Sequence, residues 1–477
     1  MIAEHTNGAR RAGASPVASG FALQDVDEPN LLREMFPYDA PPRIVLDGST
    51  EPLDPAPAFY ITDTTFRDGQ QARPPYTVRQ ILDLYRMLHR LGGPNGIIRQ
   101  AEFFLYSDVD RAAVEQCLAL GYSFPEVTGW IRAVASDFRL VKEMGLEETG
   151  ILTSCSDYHI FRKLKKTRRE ALDDYLRIVQ AALDAGVRIR CHLEDATRAD
   201  FYGFVAPFVC ELMRLSEASG MPIKIRVCDT LGFGVPLPGV ALPRSVPKLI
   251  QGLRRECGVP SDCLEWHGHN DFHKVLANAS AAWLYGCMYA NGTLLGLGER
   301  TGNPPVEGLV MEYISLTGDA NGMDTSVITE IGEYFERELN YRIPPSYPFV
   351  GRDFNVTRAG IHADGLLKDE EIYNVFDTTA VLGRPPRVAI DKTSGTAGVS
   401  WWINSYFHIP ATARVDKKSD AVKHITEWVD DQYRHERTTS ISDEELLAQV
   451  RVHLPSLVGN ESAVAGTRVV SHDSALL

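Results

Sequence analysis

The sequence predicts an α/β protein: a (β/α)8 TIM barrel with an N-terminal extension and a C-terminal, mostly helical module. Three observations predict it. From Phe59 onward, apolar β-rich runs alternate with helical patterns. The alternation repeats eight times within about 260 residues, the count of a closed barrel. Polar clusters fall at the C-terminal ends of five runs, and in a barrel those ends converge on one mouth. A doubly wound open sheet shares the alternation and is the competing architecture. No GxGxxG turn follows the first strand, which argues against a dinucleotide site.

Taken in order, residues 1 to about 19 read as disordered. The rest of the extension, to residue 58, carries FPYD and PPRIV and reads as an ordered wrap around the body. Strands are expected over 59–64, 99–106, 126–131, 150–155, 187–194, 223–229, 263–269 and 291–298. VRQILDLYRMLHRLG and REALDDYLRIVQAALDAG between them have helical apolar spacing, the second ending at a capping glycine. The alternation stops near Thr325. The expected domains are therefore 1–58, a barrel over 59–325, a subdomain over 326–408, and a helical region with a frayed tail over 409–477.

Composition narrows the function. A net charge of −14 disfavours nucleic acid as the main partner, which needs clustered Lys and Arg, but leaves anionic small substrates open. No apolar run is long enough to span a membrane, and the N-terminal stretch lacks the apolar segment of a secretory signal. The eight cysteines contain no CxxC pair and several sit in apolar runs, so a reducing cytoplasm with buried thiols is expected. Arg outnumbers Lys 37 to 12, a hint of a GC-rich genome.

The chemistry lies at the strand ends. In His267-Gly268-His269, alternate strand residues face the same way, so both imidazoles can reach one metal; two hydrogen-bonded core histidines are the plainer reading. Asp68, in TTFRDGQQ past the first strand, offers a carboxylate from the opposite wall, and Arg67 a guanidinium fork for a substrate carboxylate. An RDG tripeptide alone is more often a solvated turn. Asp63, inside the first strand, reads as a barrel-core group. Glu194, Asp195 and Arg198 end strand five as acid–base and anion-holding groups, or as a surface turn with a local ion pair. Thr230 can donate to a carboxylate or cap a helix. His362 and Tyr373 lie outside the barrel, where a lone loop histidine usually carries no role.

Together DTTFRDGQQ, HGHND, GLGERTGN and AGIHADGLLK are similar to the DRE-TIM metallolyases, in the isopropylmalate and homocitrate synthase branch. The resemblance runs from about residue 59 to about residue 400. EFFLYSD and LTSCSDYHIFRKLKK resemble the Re-citrate synthases and equally the phosphonomethylmalate and phosphinomethylmalate synthases. The resemblance implies Claisen condensation of acetyl-CoA with an anionic 2-oxo acid. It makes Asp68, His267 and His269 ligands of a divalent metal (Mg, Mn or Zn), with Asn303 a further ligand. It assigns Arg67, Gln71 and Thr230 to the 2-oxo acid, His159 and Arg198 to a distal anion, and Glu194 to the reacting carbon. His362 and Tyr373 would come from the partner subunit of a homodimer that exchanges C-terminal segments.

Gln70, Thr393 and Cys228 depart from the family pattern, and the region after residue 408 does not resemble a leucine-sensing domain. Phe103, Phe104 and Tyr106 are expected to narrow the pocket, and Arg162 and Lys163 to add positive charge. The expected acceptors are therefore oxaloacetate, phosphonopyruvate or phosphinopyruvate, with the Arg-rich composition leaning towards antibiotic biosynthesis. Homocitrate, citramalate or isopropylmalate synthesis, C–C cleavage on the same barrel, and a non-catalytic scaffold remain as alternatives.

Overall fold

The computed structural model describes residues 21–458; the stretch expected to be disordered at the start and most of the tail lie outside them. Eight parallel strands close into one ring in sequence order: β1 Tyr60–Asp63, β2 Ile98–Phe104, β3 Glu126–Ile131, β4 Glu148–Ser154, β5 Arg188–Glu194, β6 Ile223–Asp229, β7 Leu264–Gly268 and β8 Tyr289–Gly292. The open sheet is thereby excluded. Helices link the strands, as Val78–Gly92 does after β1 and Arg168–Asp184 after β4. Each of these two begins at a capping box, Thr77 with Gln80 and Thr167 with Glu170, which satisfies donors that a helix start leaves bare.

Strand alternation sorts the side chains. Ile189, Cys191 and Leu193 of β5 and Ile225 and Val227 of β6 are fully buried on the outward face, the face that meets the helices. The inward face is polar, and Arg190, His192 and Arg226 on it are also buried. Arg226 Nη1 donates to Glu102 at 2.9 Å and its Nε to Glu265 at 2.9 Å, while Arg190 Nη2 donates to Glu102 at 2.8 Å. Gly150 makes room for this lattice: a Cβ there would lie 2.4 Å from His192 Nε2. All eight cysteines are buried and unbridged.

Two expectations are corrected. The eighth strand is Tyr289–Gly292, not 291–298. After Gly292 the chain enters a short turn in which Leu295 takes φ 56°, outside the extended region. Phe103 does not narrow a pocket. It sits on the outward register of β2 and stacks on Phe66 at 4.8 Å, with Tyr85 of the first helix at 6.2 Å. Phe104 is on the inward register, against Trp130, and Tyr106 donates to Asp137 at 3.0 Å.

The extension adds no strand to the ring, but it is tied to the barrel throughout. Gln24 N donates to Gly203 O at 3.0 Å, Ala56 N to Trp283 O at 2.9 Å, and Asp54 pairs with Arg254 at 2.7 Å.

The chain divides into two compact units at Val327/Ile328. The second unit has its own core, including Ala363, Ile390, Ile403, Ile425 and Val450. Ile403 of the helix Gly395–Tyr406 and Ile425 of the helix Asp420–Arg434 share this core, so the expected boundary at residue 408 falls within one packed body. No helix among the described residues is long and apolar enough to cross a membrane.

Candidate metal centre and active site

The turn after β1 brings Arg67 and Asp68 over the barrel mouth. The Thr64 carbonyl accepts from the amides of Arg67, Asp68 and Gly69 at 3.1, 2.8 and 3.2 Å. Gln70 fixes the far side, donating from Nε2 to Phe66 O at 2.6 Å and accepting from Tyr76 N at 3.2 Å. The amide that departs from the family pattern thus holds the loop rather than a ligand.

Asp68, His267 and His269 are all buried, and their ligand atoms lie within 4.8 Å of one another. Asp68 Oδ2 is 3.3 Å from His267 Nε2 and 3.8 Å from His269 Nε2. Burial opposes ionisation of Asp68, but Arg67 and the two imidazoles hold it well below the ordinary carboxylate range. Burial, with His267 alongside, pushes His269 down to about 4, which keeps its ring neutral near pH 7.

The tautomer of His267 follows from its support. Its Nδ1 faces Asn291 Oδ1 at 2.7 Å. Asn291 Nδ2 donates to Thr62 Oγ1 at 2.9 Å, so Oδ1 must be the acceptor and His267 Nδ1 carries the proton. That turns Nε2, the ring's other nitrogen, toward Asp68.

Asn303 lies beside the triad. Its Nδ2 donates to Asp68 Oδ2 and to Gly268 O, each at 3.1 Å, while its buried Oδ1 has no hydrogen-bond partner among the described residues. Gly298 leaves room for that oxygen; a Cβ there would come within 1.9 Å of it. One ionised carboxylate, two imidazoles and an orphaned amide oxygen fit a divalent cation.

Arg67 spans two acids, donating from Nε to Glu102 at 3.0 Å and from Nη1 to Asp68 at 2.7 Å. Its Nη2 has no partner among the described residues. Gln71, by contrast, is solvent-exposed. Cys228 is a buried thiol that burial pushes up and keeps neutral.

A second cluster stands at the ends of β4 and β5. Glu194 accepts from Ser154 Oγ, from Lys163 Nζ at 3.1 Å, and lies 2.9 Å from His159 Nδ1. Burial raises its carboxyl, but His159, Ser154 and Lys163 together bring it down to about 2. Asp195 adopts a left-handed backbone, φ 66°, that a non-glycine residue rarely takes. Thr230 Oγ1 holds it there by accepting from Asp195 N at 2.8 Å, so the threonine supports a neighbouring loop rather than capping a helix. Arg198 donates from Nε and Nη2 to Asp195 at 3.0 and 2.9 Å.

In the second unit, the rings of His362 and Tyr373 stand 4.3 Å apart, and Thr357 Oγ1 is 3.3 Å from His362 Nδ1. Asn291, Glu102 and Tyr158 are not among the groups that sequence motifs single out. Period-two alternation in IRQAEFF marks Glu102 as inward-facing, but nothing local to Asn291 reveals a partner 24 residues earlier.

Comparison with known proteins agrees with this geometry. The HMGL-like family signature matches residues 58–334. The chain is 58% identical over 466 residues to "Citrate (Re)-synthase" of Syntrophus aciditrophicus, covering 96% of this chain and 74% of that protein. It is 54% identical to "Citrate (Re)-synthase" of Clostridium kluyveri, over 92% of this chain and 97% of that protein. Identity to "2-phosphinomethylmalate synthase" of Streptomyces hygroscopicus is 38%, over 89% of this chain and 96% of that protein. With the closed barrel and the convergent Asp68, His267 and His269 in place, the chain belongs to the HMGL-like, DRE-TIM family.

Proposed function

We propose that this enzyme condenses acetyl-CoA with a short 2-oxo acid bearing a second anionic group, oxaloacetate before others, giving a citrate-like 2-hydroxy acid and CoA. It is an acyltransferase that turns the acyl group into an alkyl group on transfer. The observation that carries the reading is the convergence of Asp68, His267 and His269 on one point beside Arg67. Oxaloacetate is placed first because the two relatives at 58% and 54% identity are both named as citrate synthases. Phosphinopyruvate or phosphonopyruvate is the second choice, favoured by the 38% relative and by the Arg-rich composition.

A divalent ion (Mg, Mn or Zn) on Asp68, His267 and His269, with Asn303 alongside, supplies Lewis-acid polarisation of the keto carbonyl when bound. The chain's own side chains do the rest. Arg67 is fixed at two edges and offers Nη2 to the C1 carboxylate. Thr230 accepts from Asp195 N and keeps its own hydroxyl proton to donate to substrate. Arg198 and His159 meet the distal anion. Glu194, brought down to about 2, is a weak base and orients the acetyl group rather than deprotonating it. The methyl proton falls to His362, aided by Tyr373, delivered by a second copy of the chain. The resulting enolate attacks the keto carbon, and thioester hydrolysis makes the condensation irreversible.

The test is CoA release, read with a thiol reagent, across oxaloacetate, phosphonopyruvate, phosphinopyruvate, 2-oxoglutarate, pyruvate and 2-oxoisovalerate. The highest kcat/KM is expected for oxaloacetate. Preference for pyruvate or 2-oxoisovalerate, or no CoA release with any acceptor, overturns the assignment.

A further inference from the structure

The N-terminal extension converges on one side chain of the active-site mouth. Arg198 has Nε and Nη2 committed to Asp195, and its Nη1 has no hydrogen-bond partner among the described residues. Its guanidinium carbon lies 3.7 Å from the centre of the Tyr158 ring and 5.7 Å from that of Phe233. The extension holds both rings. Tyr158 OH donates to Leu31 O at 2.8 Å, and the Phe36 ring packs 5.1 Å from Phe233.

The residue before Tyr158 is braced in the same way. Asp157 accepts from Asn30 N at 2.7 Å and from both Nε and Nη2 of Arg168, at 2.9 and 2.8 Å. Arg168, fully buried, also donates to Gln24 O at 3.0 Å. The extension contributes no strand to the ring. The effect of these contacts is local: they fix two aromatic rings around one arginine whose third edge is open.

We propose that residues 24–36 are a working part of the active site. They clamp Tyr158 and Phe233 about Arg198, so that its open edge is preset for the second anionic group of the 2-oxo acid. Tyr158 is then a positioning residue for substrate choice. A guanidinium already stacked and tethered gives up little rotamer freedom on binding, whereas one on a loose loop gives up much. The stacking also favours the cation directly. The inference rests on the 2-oxo acid synthase reading.

Two variants test it in the full-length, metal-replete protein. Tyr158→Phe removes the tether to Leu31 and keeps the ring; Tyr158→Leu removes both. The KM for oxaloacetate should rise about threefold in the first and about tenfold in the second, the latter matching loss of one partly desolvated cation–π contact. The KM for acetyl-CoA and the bound metal should stay unchanged, and the preference for oxaloacetate over pyruvate should narrow. A lower Tm with an unchanged KM ratio marks a purely structural role and overturns the proposal. Tyr158→Phe keeps the test decisive if Tyr158→Leu fails to fold. Wild-type protein that releases no CoA with any 2-oxo acid sinks the proposed reaction and this inference with it. Wild-type turnover with unaltered acceptor preference in both variants sinks this inference alone.

Discussion

Asn291 Oδ1 accepts from His267 Nδ1 and so turns Nε2 toward Asp68. Orienting partners of this kind typically matter to metal affinity by about 10- to 100-fold. Asn291→Ala should therefore weaken metal binding by about that factor in a chelator-competition titration, with the fold intact by circular dichroism; unchanged affinity contradicts the assigned tautomer. Asp63 makes a different prediction. Burial pushes its carboxyl up to about 7, only partly offset by the hydroxyl and amide of Thr65. Between 3.8 and 7 the folded chain keeps a proton that the unfolded chain has lost. That contribution to stability is complete below 3.8 and is lost as pH rises through 7. The Tm of Asp63→Asn should gain on wild type across this window; parallel curves contradict it. That His267 and His269 share one face was legible in the sequence, because period-two spacing puts them there. Asn291 was not legible, because its role depends on the register between β7 and β8, where His267 pairs with Asn291.

Among the elements, the barrel interior is the least expected feature. A buried lattice of Glu102, Arg190, Arg226 and Glu265 stands where a barrel commonly packs branched apolar side chains. Removing one member leaves buried charges uncompensated. Arg226→Met should cost about 3–5 kcal/mol in urea unfolding. It should also lower activity, because Glu102 anchors both Arg226 and Arg67. A loss below about 1 kcal/mol would mean that the lattice relaxes around the gap. Strands β5 and β6 carry the pattern openly, as RIRCHLE and KIRVCD, with charged residues on alternate positions. Strand β8 was misplaced for a physical reason. TLLGLG is apolar enough for a strand, but Leu295 turns to φ 56° and ends it. Phe103 was misjudged for the same kind of reason, since the face it takes is set by the register of β2 and not by its size.

Across the whole molecule, the eight-fold alternation was readable from the sequence because each β-then-α unit carries its own periodicity. The routing of the extension was not, because its contacts are single hydrogen bonds to residues far along the chain, as Asn30 to Asp157. The proposed delivery of His362 by a second copy makes a sharp prediction. Asp68→Ala and His362→Ala should each be inactive alone. Co-assembled in equal amounts, they should recover about a quarter of wild-type activity, since half the dimers then hold one complete site. No recovery from assemblies shown to be mixed contradicts exchange. The claim on which the rest depends is that Asp68, His267 and His269 hold a divalent ion needed for condensation. The direct measurement is CoA release from acetyl-CoA and oxaloacetate by chelator-treated protein, before and after adding Mg, Mn or Zn. Loss of activity on chelation, its return with metal, and no return in His267→Ala is the predicted result. Full activity in metal-free protein, or in His267→Ala, contradicts the account.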